Sequence, residues 1–397
     1  VLQAMKEQMD RAAFGYRLHF ENEPAERLAA QIAALCPPGH EKVFFVSGGS
    51  EAVESCTKLA RQYALAKGEG SRWQVISRNP SYHGSTLGAL AVTGYRPLTD
   101  PFMPMMRRMP SIAAPRCYLD HDDLDDQERG LRYANLLRDK ILELGPETVL
   151  AFIMEPVGGA STGALVAPDS YYGRIREICD EFGVLLIYDE VMSGAGRTGR
   201  YLAAEHWHIK PDIIALAKGL AAGYAPLGAM IADDPIIEQV LDAGGFQHGY
   251  TYAGNPLACA AGLAVTQELL ERDLMGRATR LGGILRQELE TLMDDYPCVG
   301  DVRGKGLLLA FELVADRATM QPLPAALNAH SRLVELAYER GLSVYSRRTR
   351  GGLEGEHFLV CPPLIVTEGV VSELLATLRE GVDALAGGVS VTRGAAA

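Results

Sequence analysis

Short apolar runs alternate with amphipathic helical stretches from about residue 30 to residue 270, and no other feature of the chain constrains its fold as strongly. The clearest runs occur at 42–46, 74–77, 148–154 and 183–188. Strands that alternate with helices in this way are typical of βα units around a mostly parallel sheet. The sequence therefore predicts an α/β fold with such a sheet at its centre.

The length of the chain indicates more than one domain. Its 397 residues exceed the size at which a single hydrophobic core usually stops growing. After a long helical stretch, the pattern changes to hairpin-like strands at Asp301–Leu313 and at Leu342–Tyr345. We predict a large domain over residues 30–275 and a smaller α+β C-terminal domain over residues 276–397. Residues 1–29 are expected to form an N-terminal segment that packs on the small domain.

The charge balance and the cysteines argue against several kinds of partner. A formal charge of −12 and a pI near 5.3 disfavour nucleic acid and anionic membranes, which both require a basic surface. The seven cysteines are scattered, and neither a CxxC pair nor a His/Cys cluster has the spacing of a metal site. They indicate reduced thiols in a cytoplasmic protein without a bound metal. No basic-then-apolar leader opens the chain, and no apolar run reaches the ~18 residues of a membrane span.

Two apolar runs that end on an ionisable residue carry the strongest functional signal. Asp189 follows Leu185-Leu-Ile-Tyr188, and Lys218 follows Ile213-Ile-Ala-Leu-Ala217. A lysine held in apolar surroundings loses its proton readily, and the neutral amine can form a Schiff base with a carbonyl. A strand-end aspartate can pair with a pyridinium nitrogen, so the two residues together indicate pyridoxal phosphate. Taken singly, either residue is more often structural: a surface lysine after a short strand, or an ordinary strand-end aspartate.

Three further segments offer groups that suit a phosphate-bearing aromatic cofactor. The turn Ser47-Gly48-Gly49-Ser50 precedes a helix predicted over residues 51–67, where backbone N–H groups and the helix dipole attract an anion. By itself such a turn is more often only a helix cap. Tyr82 offers a flat aromatic face, although a half-buried loop tyrosine is the commoner case. Thr251 offers a hydroxyl in a loop that could equally be a plain turn.

Taken together, these segments resemble the class III aminotransferases, which are pyridoxal-phosphate enzymes of fold type I. The resemblance extends over nearly the whole chain and is greatest to the omega-amine and amine–pyruvate members. The motifs that carry it follow in the family's order: Ser47-Gly-Gly-Ser-Glu-Ala52, Tyr82-His-Gly84, Glu155-Pro156, Asp189-Glu-Val191, Gly194-Ala-Gly-Arg-Thr-Gly199, Ala217-Lys-Gly219, Thr251-Tyr-Ala-Gly-Asn-Pro256 and Pro362-Pro-Leu364.

The resemblance implies roles for the residues around the cofactor ring. Lys218 would form the internal aldimine and then move a proton between the substrate carbon and the cofactor. Asp189 would keep the pyridine nitrogen protonated. Tyr82 would stack on one face of the ring, and Val191 would pack against the other.

The resemblance also implies how the phosphate is bound and how the subunits assemble. Gly49 and Ser50 would bind the phosphate through backbone and hydroxyl groups. Thr251 would reach the phosphate bound in the neighbouring subunit. Each complete site would therefore need a homodimer.

Two departures from the family pattern concern the substrate. Members that act on ornithine or 4-aminobutyrate have an arginine shortly before the Pro-Pro-Leu element and a glutamate that gates it. Leu359 and Ala160 occupy the matching positions here, which points away from a fixed site for an amino-acid carboxylate. In amine–pyruvate members a mobile arginine a little upstream binds carboxylates and swings away for apolar amines. Arg347 and Arg348 lie near that place on a stretch predicted as a loop, where a solvated basic cluster is an equally good interpretation.

The sequence thus predicts an aminotransferase that moves an amino group from a primary amine or omega-amino compound to a 2-oxo acid such as pyruvate. A lyase, epimerase or decarboxylase on the same fold is the first alternative, because these enzymes share the cofactor chemistry. A scaffold subunit without activity is the second. The presence of both Lys218 and Asp189 favours an enzyme.

Overall fold

Two sheets organise the chain in the computed structural model, which describes residues 1–394 and, up to residue 386, their side chains. The α-helices are α1 (Leu2–Arg11), α2 (Glu23–Leu35), α3 (Gly49–Ala66), α4 (Leu87–Ala91), α5 (Arg96–Thr99), α6 (Asp126–Leu144), α7 (Asp169–Phe182), α8 (Asp234–Asp242), α9 (Pro256–Glu271), α10 (Leu274–Asp295), α11 (Ala329–Glu339) and α12 (Glu368–Gly394). The strands are β1 (Lys42–Val46), β2 (Gln74–Asn79), β3 (Ser111–Ala113), β4 (Val149–Met154), β5 (Leu185–Asp189), β6 (Ile213–Leu216), β7 (Gly228–Ala232), β8 (Val299–Lys305), β9 (Leu308–Asp316), β10 (Gln321–Pro322), β11 (Tyr345–Arg350) and β12 (Glu354–Val360).

The large sheet has seven strands in the order β1-β7-β6-β5-β4-β2-β3. Strand β7 runs antiparallel to both of its neighbours, whereas the other neighbouring pairs are parallel. Because β1 and β6 both oppose β7, they run in the same direction. All strands of this sheet except β7 therefore end at one edge, and the predicted α/β fold with a mostly parallel sheet is confirmed.

Successive residues of the central strands enter two separate cores. On β5, Leu186 and Tyr188 belong to the core that α2, α6, α7 and α9 cover, whereas Ile187 belongs to the core under α3 and α8. Side chains alternate between the two faces of a strand, so both faces of the sheet are buried. This is why these strands appear in the sequence as continuous apolar runs.

The small sheet is antiparallel and has its own core with α10, α11 and α12. Its strands pair in the order β10-β9-β12-β11, and β8 also pairs with β9. The hairpin predicted within Asp301–Leu313 is confirmed as β8 and β9. The strand predicted at Leu342–Tyr345 is wrong in its bounds, because the structure places it at Tyr345–Arg350. That segment is an edge strand rich in arginine, so its hydropathy does not mark it as a strand.

The N-terminal segment lies on the large sheet's side of the molecule. Helices α1 and α2 pack mainly on α9, and Asn22 Nδ2 donates to Gly254 O at 3.0 Å. Leu28 and Ile32 of α2 enter the core of the large sheet. The expectation that residues 1–29 pack on the small domain is therefore corrected, because the apolar face of α2 is buried elsewhere. The domain boundaries themselves stay a prediction.

Other features of the described residues concern metals, thiols and membranes. The seven cysteines are free, and burial raises the pKa of Cys259 to about 12. In the part of the chain that the structure describes, His, Cys, Asp and Glu side chains form no group that could hold a metal ion. None of the described helices combines the length and the apolar character that a membrane crossing requires.

Candidate active site

The carboxyl ends of the parallel strands bring the polar candidate residues to one edge of the large sheet. Strand β1 leads into Ser47, and β4 leads into Glu155. Strand β5 ends on Asp189, and β6 leads through Ala217 into Lys218. All five residues line one cavity of about 1810 Å³. Ligands of such sheets bind at this edge, so the cavity is the candidate active site.

Lys218 has an uncommon backbone conformation and a free amine. Its φ is +43°, in the left-handed region that residues other than glycine rarely occupy. The side chain is exposed in the cavity, and its Nζ makes no hydrogen bond or ion pair with a described residue. The expectation of apolar burial is corrected: β6 is buried but ends at Leu216, and the next turn carries Lys218 into the cavity. Strain of this kind persists where the surrounding structure imposes it, which is common at functional sites.

Asp189 is buried and firmly oriented. The residue is only 4% exposed. Its Oδ1 accepts from Val191 N at 3.0 Å, and its Oδ2 lies 2.8 Å from His83 Nδ1. A carboxylate has about four lone-pair positions, so it retains capacity for one more donor. His83 Nε2 is buried and has no partner among the described residues. The pair thus presents an anchored acceptor at the end of β5.

Glu155 is a second buried carboxyl group, and it joins two loops of the site. Its Oε1 accepts from Gly159 N at 2.9 Å, and its Oε2 accepts from Tyr82 N at 3.4 Å. Burial raises the pKa of Glu155, and the nearby His83 opposes this by lowering it. The carboxyl group therefore fixes the loop after β4 to the loop that carries Tyr82.

The turn before α3 is open to an anion. Gly48 is the N-cap residue, and no side chain of the described residues caps the helix. The first N–H groups of a helix have no partner within it, so those of Gly49 and Ser50 can donate to a ligand. The alternative that this turn is only a helix cap is not favoured, because its N-cap residue offers no capping side chain.

The segments expected around the cofactor contact one another. Gly49 packs so closely on Val191 that a Cβ atom would lie 2.9 Å from Val191 Cγ1. Ser50 Oγ accepts from Ser85 N at 3.0 Å, and Tyr82 OH lies 3.0 Å from Ser85 Oγ. The turn, the loop after β5 and the loop of the half-buried Tyr82 thus form one continuous wall of the cavity.

The structure separates the two arginines that were expected to bind substrate. Both lie on β11 rather than on a loop, which corrects that expectation, and neighbouring side chains of a strand point to opposite faces. Arg347 lines the cavity, whereas Arg348 does not, and Arg348 Nη1 donates to Leu353 O at 3.2 Å. Thr251 is exposed and lies outside the cavity of its own chain.

Three residues of the cavity were not predicted individually. His83 belongs to a motif in which only its neighbour Tyr82 was assigned a role, and neither residue of the Glu155-Pro156 motif was assigned one. Arg197 donates through Nη1 to Leu307 O at 3.2 Å and to Pro362 O at 2.6 Å, and burial lowers its pKa. It therefore ties the loop after β5 to the small sheet. The sequence signal that could have identified Arg197 is its position as the one charged residue of the motif Gly194-Ala-Gly-Arg-Thr-Gly199, whose other residues are small.

The family of the chain follows from comparison with known proteins. The family model described as aminotransferase class III matches residues 1–382. The chain belongs to the class III aminotransferases.

Several relatives of this aminotransferase are similar over most of their length. It is 38% identical over 390 residues to the uncharacterized aminotransferase YodT of Bacillus subtilis, and the match covers 97% of this chain and 87% of the relative. It is 33% identical over 397 residues to the putrescine–pyruvate aminotransferase of Pseudomonas aeruginosa, with 98% and 84% covered. The (S)-enantioselective omega-transaminase from Thermomicrobium roseum matches with a TM-score of 0.90 at 35% identity, covering 97% of this chain and 84% of that one. The fold of pyridoxal-phosphate-dependent transaminases is thereby confirmed.

Class III aminotransferases depend on pyridoxal phosphate, and the residues of this cavity fit that cofactor. The uncapped start of α3 suits its phosphate, and Asp189 has capacity for a protonated ring nitrogen. The amine of Lys218 has no competing partner among the described residues.

Proposed function

We propose that this aminotransferase moves an amino group from a primary amine or omega-amino compound to a 2-oxo acid such as pyruvate. The observation that carries the proposal is the composition of the cavity wall near β11 and β12. Apolar side chains cover most of that wall, and beside them lies Arg347, whose guanidinium makes no hydrogen bond or ion pair with a described residue. Such a wall suits an apolar donor and still offers a charge to a carboxylate.

The apolar part of the wall contains Leu359 and Ala160. Leu359 is 5% exposed and packs in a small core with Val157, Leu308 and Ala310, against which Ala160 also packs. A fixed charge at Leu359 would be buried among apolar side chains, where an unpaired charge is strongly disfavoured, and Ala160 is half-buried beside them. These two residues therefore support a donor site that has no fixed charged side chain to bind a carboxylate.

Arg347 differs from the other arginines that line the cavity. Arg197 donates to backbone carbonyls, Arg272 pairs with a glutamate, and Arg340 donates to Leu336 O. The Arg347 guanidinium makes no hydrogen bond or ion pair with any described residue, and its nearest ring is Tyr345 at 4.9 Å. It is thus free to bind a substrate carboxylate. Relatives named as putrescine–pyruvate and taurine–pyruvate aminotransferases support pyruvate as an acceptor.

Each residue at the ring end of the site has a proposed task. When bound, pyridoxal phosphate supplies an aldehyde that reacts with amines and a ring that accepts electrons. Lys218 Nζ holds the cofactor at rest and moves the substrate proton during turnover. Asp189, oriented by His83, keeps a positive charge on the ring nitrogen. Tyr82 and Val191 confine the ring from its two faces.

The phosphate end of the site and the subunit contact belong to the same proposal. Gly49 and Ser50 bind the phosphate from one chain, and Thr251 of the second chain reaches it from the other. The exposure of Thr251 outside its own cavity supports this arrangement. Beside it Tyr252 is 63% exposed and meets Phe14 edge to face at 5.7 Å between ring centroids. Exposed aromatic side chains of this kind mark contact surfaces, which supports a homodimer.

We also propose a cytoplasmic location. All seven cysteines are free, as expected where cellular reductants keep thiols reduced.

A donor screen tests the proposed reaction. Simple apolar amines, diamines and omega-amino acids are each supplied with pyruvate, and alanine formation is followed. We expect turnover with several of these donors, strict dependence on the 2-oxo acid, and no turnover by Lys218→Ala. Product formation without any 2-oxo acid would instead indicate a lyase or decarboxylase and would contradict the proposal.

A further inference from the structure

The loop between β4 and α7 forms part of the cavity wall. Its residues Ala160 and Ser161 line the cavity, and Glu155 Oε1 accepts from Gly159 N at its start. The loop folds back on itself, because Gly158 N donates to Leu165 O at 2.8 Å. We refer to residues 158–165 as the wall loop.

Arg303 of β8 binds the wall loop from the small sheet. Its Nε donates to Gly163 O at 2.7 Å, and its Nη2 donates to Thr162 O at 3.0 Å. Both carbonyl groups thus bind the small sheet, and neither Thr162 nor Gly163 lines the cavity. A single side chain of the small sheet therefore satisfies two backbone acceptors of a loop that belongs to the large sheet.

His357 of β12 binds a third carbonyl group of the same loop. Its Nε2 lies 2.9 Å from Ala160 O, which can only accept, so Nε2 carries the proton. Its Nδ1 then accepts from Thr349 Oγ1 at 2.9 Å. Burial and the nearby Arg303 lower the pKa of His357 to about 3. The ring is therefore neutral, and this donor does not change over the pH range in which enzymes work.

Arg303 is itself held in place by a buried network. Its Nη1 donates to Asp301 Oδ2 at 2.6 Å, and its Nη2 also donates to Glu312 Oε2 at 2.8 Å. The Tyr118 ring lies 4.4 Å from the guanidinium carbon, and Tyr118 OH donates to Glu312 Oε2 at 3.0 Å. A buried arginine with two carboxylates and a stacked ring has little freedom to move.

The contact is so close that only glycine fits on the loop side. A Cβ atom on Gly163 would lie 2.6 Å from His357 Cγ and 2.7 Å from Arg303 Nη2. Gly163 also has a φ of +63°, which favours glycine. The wall loop and the two side chains therefore have matching shapes as well as matching hydrogen bonds.

Strand β12 and its neighbour β11 carry other residues of the cavity wall. Leu359 follows His357 by two positions on β12, and both residues lie on one face of the strand. Arg347 is the register partner of His357 on β11. Movement of the wall loop relative to β12 would therefore change the position of Ala160 relative to Leu359 and Arg347.

We propose that Arg303 and His357 are positioning residues that hold the wall loop on the small sheet and thereby set the size of the donor group that the cavity accepts beside Ala160. We call the contact of Arg303 and His357 with the wall loop the clamp. The effect of the clamp on the donor rests on the proposed function, whereas the clamp itself does not depend on that function. Neither residue contacts the reacting atoms in this account. Their effect on catalysis passes through the position of the wall.

The test combines amide hydrogen exchange with donor selectivity in the holoenzyme. In His357→Leu, the loss of one buried donor should speed exchange in a peptide that spans the wall loop by about tenfold. The ratio of kcat/KM for a small alkylamine to that for a bulky arylalkylamine should fall by about fivefold or more, mainly through KM. His357→Gln, whose amide can donate to Ala160 O, should restore both quantities in large part.

Two further variants separate positioning from general destabilisation. Phe358→Leu changes the opposite face of β12, where the ring stacks on Phe311, and should lower stability without changing loop exchange or selectivity. Gly163→Ala strains the same contact from the loop side and should reproduce the His357→Leu result without removing a buried polar group.

The outcomes separate the inference from the proposed function. Unchanged exchange in both His357→Leu and Gly163→Ala would overturn the clamp. Faster exchange with unchanged selectivity would overturn its role in substrate choice. If the wild-type enzyme converts no donor at all, the proposed function fails, and the exchange experiment still decides whether the clamp exists.

Discussion

Replacement of Glu190 by glutamine should remove one contribution to the pH dependence of folding stability, the one that destabilises the wild-type fold as the pH rises. Glu190 lies next to Asp189, is 1% exposed, and accepts hydrogen bonds from Ala204 N at 2.8 Å and Ser193 Oγ at 2.5 Å. Burial raises the pKa of Glu190 to about 7, although these hydrogen bonds oppose the shift. Glutamine has nearly the same shape and does not ionise.

The sign and size of the effect follow from the difference between the folded and unfolded states. The folded-state pKa is above the unfolded value, so the protonated carboxyl contributes stability that is fully present below pH ~4.5 and is lost as the pH rises through ~7. A pKa raised from 4.5 to about 7 corresponds to about 3 kcal/mol, and most of it is lost between pH 5 and pH 8. With an unfolding entropy of ~2.1 cal/mol/K per residue, this corresponds to about 3 °C in Tm.

Thermal unfolding at pH 5 and at pH 8 measures this effect at one protein concentration. The Tm of Glu190→Gln relative to wild type should rise by about 3 °C between the two pH values. Glu177→Gln on the exposed surface of α7 is the matched control, since its ion pair with Arg174 is solvated. Parallel pH profiles of wild type and Glu190→Gln would refute the assignment of a raised pKa to this carboxyl group.

Three further predictions concern the candidate site. Asp189→Asn should retain the cofactor but lose most activity, because an opposite charge within ~4–6 Å shifts a pKa by roughly 1–3 units; wild-type rates would show that Asp189 is only a strand-end residue. Thr251→Ala should weaken cofactor retention in equilibrium dialysis, and a heterodimer with wild type should recover it at one site only; a monomer with full cofactor and normal turnover would contradict the shared site. Arg347→Ala should raise the KM for pyruvate and omega-amino acids by up to about fivefold, since Arg347 is exposed and an exposed ion pair contributes about 0.2–1 kcal/mol. Arg348→Ala, on the other face of β11, should leave these values unchanged, and equal effects of the two substitutions would indicate a surface cluster.

The sequence predicted those elements whose burial leaves a clear pattern. Strands β4 and β5 are buried on both faces and therefore appear as apolar runs. Strand β11 was misplaced because it is a polar edge strand whose pairing partner, β12, decides its position. The predicted packing of the N-terminal segment was also wrong, since the sequence of α2 shows an apolar face but does not show which core that face enters.

The candidate site was predictable where a residue lies at a strand end or in a turn. Asp189, Lys218 and the turn before α3 all belong to this class. His83 was missed because its partner lies 106 residues away in the sequence. Arg303 and His357 were missed for the same reason, since their contacts to the wall loop join residues 140 and 197 positions apart. Long-range polar contacts leave no local periodicity for sequence analysis to detect.

Borohydride reduction of the purified holoenzyme tests the central claim most directly. The structure offers Lys218 as a cavity lysine with a free amine and a strained backbone at the end of β6. Reduction followed by peptide mapping should place the fixed cofactor on Lys218 alone, and Lys218→Ala should fold normally and yield no adduct. A reduced adduct on any other lysine, or the absence of an adduct in protein that contains pyridoxal phosphate, would contradict the account.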